Sequence, residues 1–174
     1  IRSTRMQDSA CSTSQRSQSS LGVLGSSAES KSEFLFDFEL DPCRIDEILT
    51  TMRSNPKSAA IQIRGCEAIF LLCGGDTFTN NDSQLIIPQC GGIELIIGAL
   101  KSHPNDAQVQ EFGFAALMVL ARREQNRSLI GEQDGISLAV SALKRFLNHA
   151  QVQQQCCGAL CNLTRSHTIN RFAV

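Results

Sequence analysis

The chain has 174 residues, a net charge of −1 and eight cysteines, and contains neither tryptophan nor tyrosine. That balance gives no basic footprint and those missing rings leave no platform for stacked bases, so nucleic acid is excluded as the expected ligand. No apolar run approaches the ~18 residues of a membrane span, so no membrane partner is expected.

Residues 1–33 differ in kind from the rest. Eleven of them are serine and their apolar residues show no period, so the segment cannot bury enough surface to offset its ordering entropy. It reads as a disordered tail, a plain linker or, with Arg2, Arg5 and Arg16 among the serines, a platform for phosphorylation. In residues 34–40, Phe34, Phe36, Phe38 and Leu40 alternate with Leu35, Asp37 and Glu39. Such a period-2 pattern puts the aromatics on one side of an extended segment. Two readings follow: a cap over the first of the helical units described next, or a linear motif that docks in a groove. Asp41 and Pro42 supply an N-cap acceptor and a proline at N1, which predicts a helix start there.

From residue 41 onward the chain repeats itself. Ile45, Ile93 and Ile136 stand 48 and 43 positions apart, and each opens an i, i+3, i+4, i+7 stripe: Ile45, Ile48, Leu49, Met52; Ile93, Ile96, Ile97, Leu100; Ile136, Ala139, Val140, Leu143. That spacing lines one face of a helix. Pro56 and Pro104 then mark breaks, because a proline in a helix interior costs about 3 kcal/mol. A second helical stripe follows in each copy, with small residues at fixed places: Gly65, Gly113, Cys156 and Ala68, Ala116, Ala159. Small side chains let a neighbouring helix approach, so these columns are expected to be crossings. A third, shorter apolar element recurs as Leu85-Ile86-Ile87, Leu129-Ile130 and Phe172-Ala173-Val174. Gly91-Gly92 and Gly135 after the first two read as stops that take positive φ. The stretch Gly74 to Asn81 makes the first copy about five residues longer, and its composition predicts a surface loop with Phe78 at the tip.

Three helices per ~43 residues, the glycine–isoleucine turn, Val109-Gln110, Val152-Gln153 and Ala159-Leu160-Cys161-Asn162-Leu163 resemble the armadillo repeat. HEAT repeats, with two helices per unit, are the near competitor, and the short third element favours armadillo. The resemblance covers residues 41–174 and implies an all-α fold, a right-handed α-solenoid with units at about 41–80, 81–125 and 126–169 and the start of a fourth at 170–174. The match of Asn170 onward to Asn126 onward, and a first residue other than methionine, give the expectation of a piece of a longer array.

In that family the last helix of each unit lines a concave groove, and importin-type members hold an extended peptide with asparagines and, four residues earlier, tryptophans. The matching asparagine positions are Leu71, Val119 and Asn162, and the matching tryptophan positions are Glu67, Ala115 and Gly158. Only Asn162 fits, and an amide both donates and accepts where Leu71 and Val119 do neither. The groove residues are then Arg64, Glu67 and Leu71, Phe112, Ala115 and Val119, and Gln155, Gly158 and Asn162. Their apolar members suit an amphipathic helix or a protein surface better than a peptide-backbone ladder, with Phe112 as the anchor.

No phosphate loop, HExxH or GxSxG occurs, and His103, His149 and His167 fall at helix ends or turns, so no catalysis is expected. Cys66, Cys73, Cys156 and Cys161 fall on or beside core columns and read as reduced thiols. Cys157 and Cys161 share a helix face near Cys156 and His149, but no CxxC supports a metal site. The sequon at Asn162 lies in a packed helix, against a glycosylated secreted chain. The expected function is that of a cytoplasmic protein-interaction scaffold, with the nucleus as the other compartment, binding a protein or peptide ligand as an amphipathic helix or extended segment and using no cofactor. The alternatives are a nuclear-import-type cargo adaptor and a regulatory array of a larger enzyme, a ubiquitin ligase or a kinase.

Overall fold

A computed structural model describes residues 44–75, 82–165 and 167–174. The serine-rich tail, the phenylalanine-rich segment, Asp41, Pro42 and Phe78 lie outside the described residues. Among those described, all regular structure is helical and no strand occurs. The helices are α1 (Ile45–Ser54), α2 (Ala59–Leu72), α3 (Ser83–Gln89), α4 (Gly92–Ser102), α5 (Ala107–Leu120), α6 (Glu124–Glu132), α7 (Gly135–Arg145), α8 (Ala150–Thr164) and α9 (Thr168–Phe172). The short helices α6 and α9 begin at Glu124 and Thr168, two residues ahead of the buried Asn126 and Asn170. Apolar periodicity finds the first buried residue of a helix and misses the polar turn ahead of it.

The long helices form two layers. α1, α4 and α7 follow one another in the first, while α5 lies between α2 and α8 in the second. Each helix of the first layer also packs on its sequence neighbour in the second. The stripes explain this directly: Ile45, Ile48, Leu49 and Met52 on α1, and Ile93, Ile96, Ile97 and Leu100 on α4, are all buried. The small columns are crossings, as their spacing predicts. A Cβ on Gly65 would run into the Met52 side chain and one on Gly113 into that of Leu100.

Hydrogen bonds recur on the same columns, which ties the repetition to structure rather than to letters alone. Gln62 Nε2 donates to the carbonyls of Met52 and Asn55, Gln110 Nε2 to those of Leu100 and His103, and Gln153 Nε2 to those of Leu143 and Phe146. Each glutamine thereby bonds one carbonyl in the last turn of the preceding helix and one in the turn that follows it, where helix carbonyls lack i+4 partners. The short helices do the same for the second layer. Asn126 Nδ2 donates to Leu120 O and Gln84 O, and Asn170 Nδ2 to Leu163 O and Arg127 O.

The glycine turn works differently from expectation in one copy. Gly91 has φ +79°, but in the next unit the left-handed residue is Asp134, at φ +69°, and Gly135 opens α7. Gly92 and Gly135 are required for a different reason. A Cβ at either would lie 2.9 Å or 2.8 Å from the carbonyl oxygen of Ile87 or Ile130, closer than side chains approach, so the short helix sits directly on the start of the next.

Candidate functional site

The layer α2–α5–α8 is the surface on which the sequence places its candidate residues. Its helices are positioned at both ends by side chains. Asp106 accepts from the Gln108 and Val109 amides at the start of α5, and the His149 Nδ1 accepts from the Val152 amide at the start of α8. Ser58, on the same column, makes no such side-chain bond. At the other end the buried Arg127 donates from Nε to Ala121 O, from Nη2 to Arg122 O and from Nη1 to Arg165 O, the last at 2.7 Å. One guanidinium thus meets the carbonyl ends of both α5 and α8, where positive charge opposes the helix dipoles favourably.

The two sides of α5 are set by what they touch. Asn162 Nδ2 donates to Met118 O at 2.8 Å, and a Cβ on Gly158 would run into the Met118 side chain. The Gly158 and Asn162 side of α8 therefore packs on the Met118 side of α5. Ala115 and Val119 occupy the same columns of α5 as Gly158 and Asn162 do of α8, which turns them toward α2.

That geometry sorts the candidates. Arg64 is exposed, and Glu67, Leu71, Phe112, Gln155, Gly158 and Asn162 are half-buried. Ala115 and Val119 have 3% and 0% of their surface exposed, so the expectation that they present apolar surface on the wall is not met. They fill the seam between neighbouring helices. Phe112 is partly covered and packs against the core. One N–H of the Asn162 amide is already used inside the chain, as a cap on the carbonyl end of α5, which fixes the orientation of the side chain and leaves its oxygen and second N–H. Gln155 Oε1 is buried without a hydrogen-bond partner among the described residues, a cost of about 1–3 kcal/mol.

Residues the sequence reading passed over also keep some surface on these helices and at their ends. Ile63, Phe70 and Met118 are apolar and half-buried, and Glu111 and Arg122 are polar and half-buried. Arg122 also donates from Nη2 to Gly75 O, linking the end of α5 to the end of α2. Their columns were visible as repeats, but their exposure depends on the rotation of each helix between two neighbours. Arg127 carried no sequence signal, since an arginine in a short polar helix reads as solvated.

Elsewhere, a shallow cleft between α4 and α7 is lined by Leu100, Lys101, Pro104, Leu138, Ser141 and Arg145. Its cations are engaged: Lys101 Nζ lies 2.9 Å from Asp134 Oδ2, and Arg145 donates to Pro104 O. Among the described residues no group of three or more His, Cys, Asp or Glu side chains is placed to hold a metal ion. The histidines serve as structural ends: His149 and His167 accept amides at the starts of α8 and α9, and His103 Nε2 pairs with Pro56 O. Burial pushes the thiols of Cys66, Cys73 and Cys156 up to about 12. Cys161, expected beside the core, is exposed, as is Cys157. No single helix among the described residues is long and apolar enough to cross a membrane.

Comparison with family models, with curated proteins and with solved structures gives no match to the chain. A functional reading therefore stands on the chain's own geometry.

Proposed function

We propose that the chain is an armadillo-like, right-handed α-solenoid that acts as a protein-interaction scaffold and binds a partner on the exposed face of α2, α5 and α8. The observation that supports this reading is the layer itself, three final helices packed in the order α2, α5, α8, along which Arg64 is exposed and Glu67, Leu71, Phe112 and Met118 are half-buried. Half-exposed Leu71, Phe112 and Met118 between charged neighbours suit an amphipathic helix, with apolar anchors inside a polar rim. The asparagine-ladder mode of a nuclear-import adaptor is disfavoured, because Leu71 and Val119 offer no side-chain hydrogen bond and Asn162 already commits one amide N–H to Met118 O. A cytoplasmic setting is part of the same proposal, and a regulatory array of a larger enzyme is its alternative.

The test is recovery of partner proteins by purified chain carrying Phe112→Ala or Arg64→Glu, with Glu132→Lys, at an exposed position of α6, as the control. Folded wall variants are expected to lose specific partners that the control retains. Equal recovery by all three removes the wall from consideration. Gln155→Leu sharpens the test: it removes an acceptor that lacks a donor, so the free chain is expected to be unchanged or slightly more stable in urea. A partner that reaches that acceptor would bind the variant more weakly.

A further inference from the structure

The first layer keeps two features that neither the repeat nor the proposed wall uses. One is the cleft between α4 and α7, about 240 Å³ in volume, where a cavity of roughly 150 Å³ already holds a benzene ring. Its floor is apolar, with Leu100 and Ala142 buried and Leu138 half-buried. Exposed Lys101 stands on the α4 rim and exposed Arg145 on the α7 rim. Each cation keeps donors to spare. The Lys101 ammonium has three N–H groups and meets the one carboxylate of Asp134, and Arg145 gives an Nη1 bond to Pro104 O. The corresponding junction of α1 and α4 has Arg53 and Ser102 on those columns, so it carries one of the two charges. The other feature is Gly98, exposed inside α4 three residues before Lys101. A Cβ there meets no atom within 4 Å among the described residues, so packing does not demand glycine, and glycine in a helix interior is destabilising relative to alanine. What it does allow is the close approach of another backbone.

We infer that residues 35–41 of the same chain dock here, crossing α4 at Gly98 and placing the Phe38 ring in the cleft. These residues lie outside those described, and their sequence supplies what the cleft would pair with. Asp37, Glu39 and Asp41 alternate with Phe36, Phe38 and Leu40, and no cation occurs among them. On an extended segment Asp37 and Glu39 flank Phe38, about 7 Å apart on the outer side, where long side chains on the rim reach them. Traced back from α1, the segment meets α4 before α7, which pairs Glu39 with Lys101 and Asp37 with Arg145. The cleft lies one and a half helix spacings from α1, about 12–15 Å, and within the ten-residue length of α1 along it, about 15 Å. The separation is thus about 20 Å, and the six residues from Phe38 to Arg44 span about 20–22 Å when extended, as their alternating pattern requires. The cleft belongs to the other layer from the proposed partner wall, and its test involves no partner protein.

The probe is a fluorescein-labelled peptide of residues 33–41, followed by fluorescence anisotropy at low ionic strength, where exposed charges are screened least. It is titrated into the full 174-residue chain and into the same chain carrying Phe36→Ser and Phe38→Ser, which disable its own segment. The disabled chain is expected to bind the peptide at least about tenfold more tightly than the wild type, whose tethered segment competes at high effective concentration. Arg145→Glu, or Gly98→Leu on the open face of α4, added to the disabled chain is expected to abolish peptide binding while circular dichroism is unchanged. No binding to the disabled chain, or binding that survives either added substitution, overturns the inference. Equal binding by the wild-type and disabled chains also overturns it, since the cleft would then be open to a segment from elsewhere. So does a doubled mass of the wild type in light scattering that falls to a single chain with Phe36→Ser and Phe38→Ser, which would make the segment of a second copy the occupant.

Discussion

The middle unit, α3 to α5, and the next, α6 to α8, share their four-residue turns between the long helices and their glutamine bonds, yet they are buried to different depths. Phe114 and Leu117 on α5 are sealed, and Cys157 and Leu160 on α8 are not; Gln110 is 4% exposed, and Gln153 is half-buried. Local sequence sets the helices, and the neighbouring unit sets how much each apolar residue contributes. Stability is then a sum of units and of the contacts between them.

The comparison breaks most visibly at the sealed aromatic. Phe114→Ala is expected to cost about 3–5 kcal/mol, whereas Cys157→Ala on the same column changes stability by no more than about 0.5 kcal/mol, both read by urea denaturation. Equal losses would mean that the two faces are covered alike. Next come the glutamines. Gln110→Ala strips the carbonyls of Leu100 and His103 of a buried donor and is expected to cost about 1–3 kcal/mol, with Gln153→Ala costing less because water reaches its half-buried site. Hydrogen exchange at the α4–α5 and α7–α8 turns locates each effect.

The buried thiols give a pH dependence. Their folded values, about 12 for Cys66, Cys73 and Cys156 against an ordinary 9.0, mean that the unfolded chain loses these protons first. Stability from keeping them protonated is full below pH 9 and falls as pH rises toward 12. Melting temperature measured from pH 8 to 10.5 is expected to drop, and Cys66→Ala to flatten the slope. The smallest effect is that of Lys101→Ala: the pair with Asp134 is half-exposed and contributes at most about 1 kcal/mol.

Helices of the two layers were legible because burial on one side imposes a period of 3.6 on Ile, Leu and Val. The limits of that legibility are physical. Val140 and Leu143 complete a stripe as well as Ile97 and Leu100 do, but spacing marks a face without saying what lies over it. Ala115 and Val119 looked like wall residues because the columns of a repeat fix phase along the helix and leave its rotation between two neighbours open. Gly135 was read as the residue of positive φ, a role that Asp134 takes, since either residue tolerates the left-handed region and only the close approach of Ile130 demands glycine. Arg127, with a guanidinium shared between two helix ends, belongs to a kind of buried charge that no periodicity announces.

The glutamine column also limits how the chain can vary in length. The turns at 55–58, 103–106 and 146–149 are all four residues long, and in each the glutamine must meet one carbonyl in the helix behind it and one in the turn itself. A single inserted residue would swing the second helix by about 100° and carry the amide away from both acceptors. The connection between α2 and α3 spans ten residues, 73–82, in the sequence, and Gln84 Nε2 ties α3 back to Cys73 O, ahead of its middle. Tags, fluorophores or whole domains are therefore best spliced there, after Gly75, where extra length leaves the paired helices in phase.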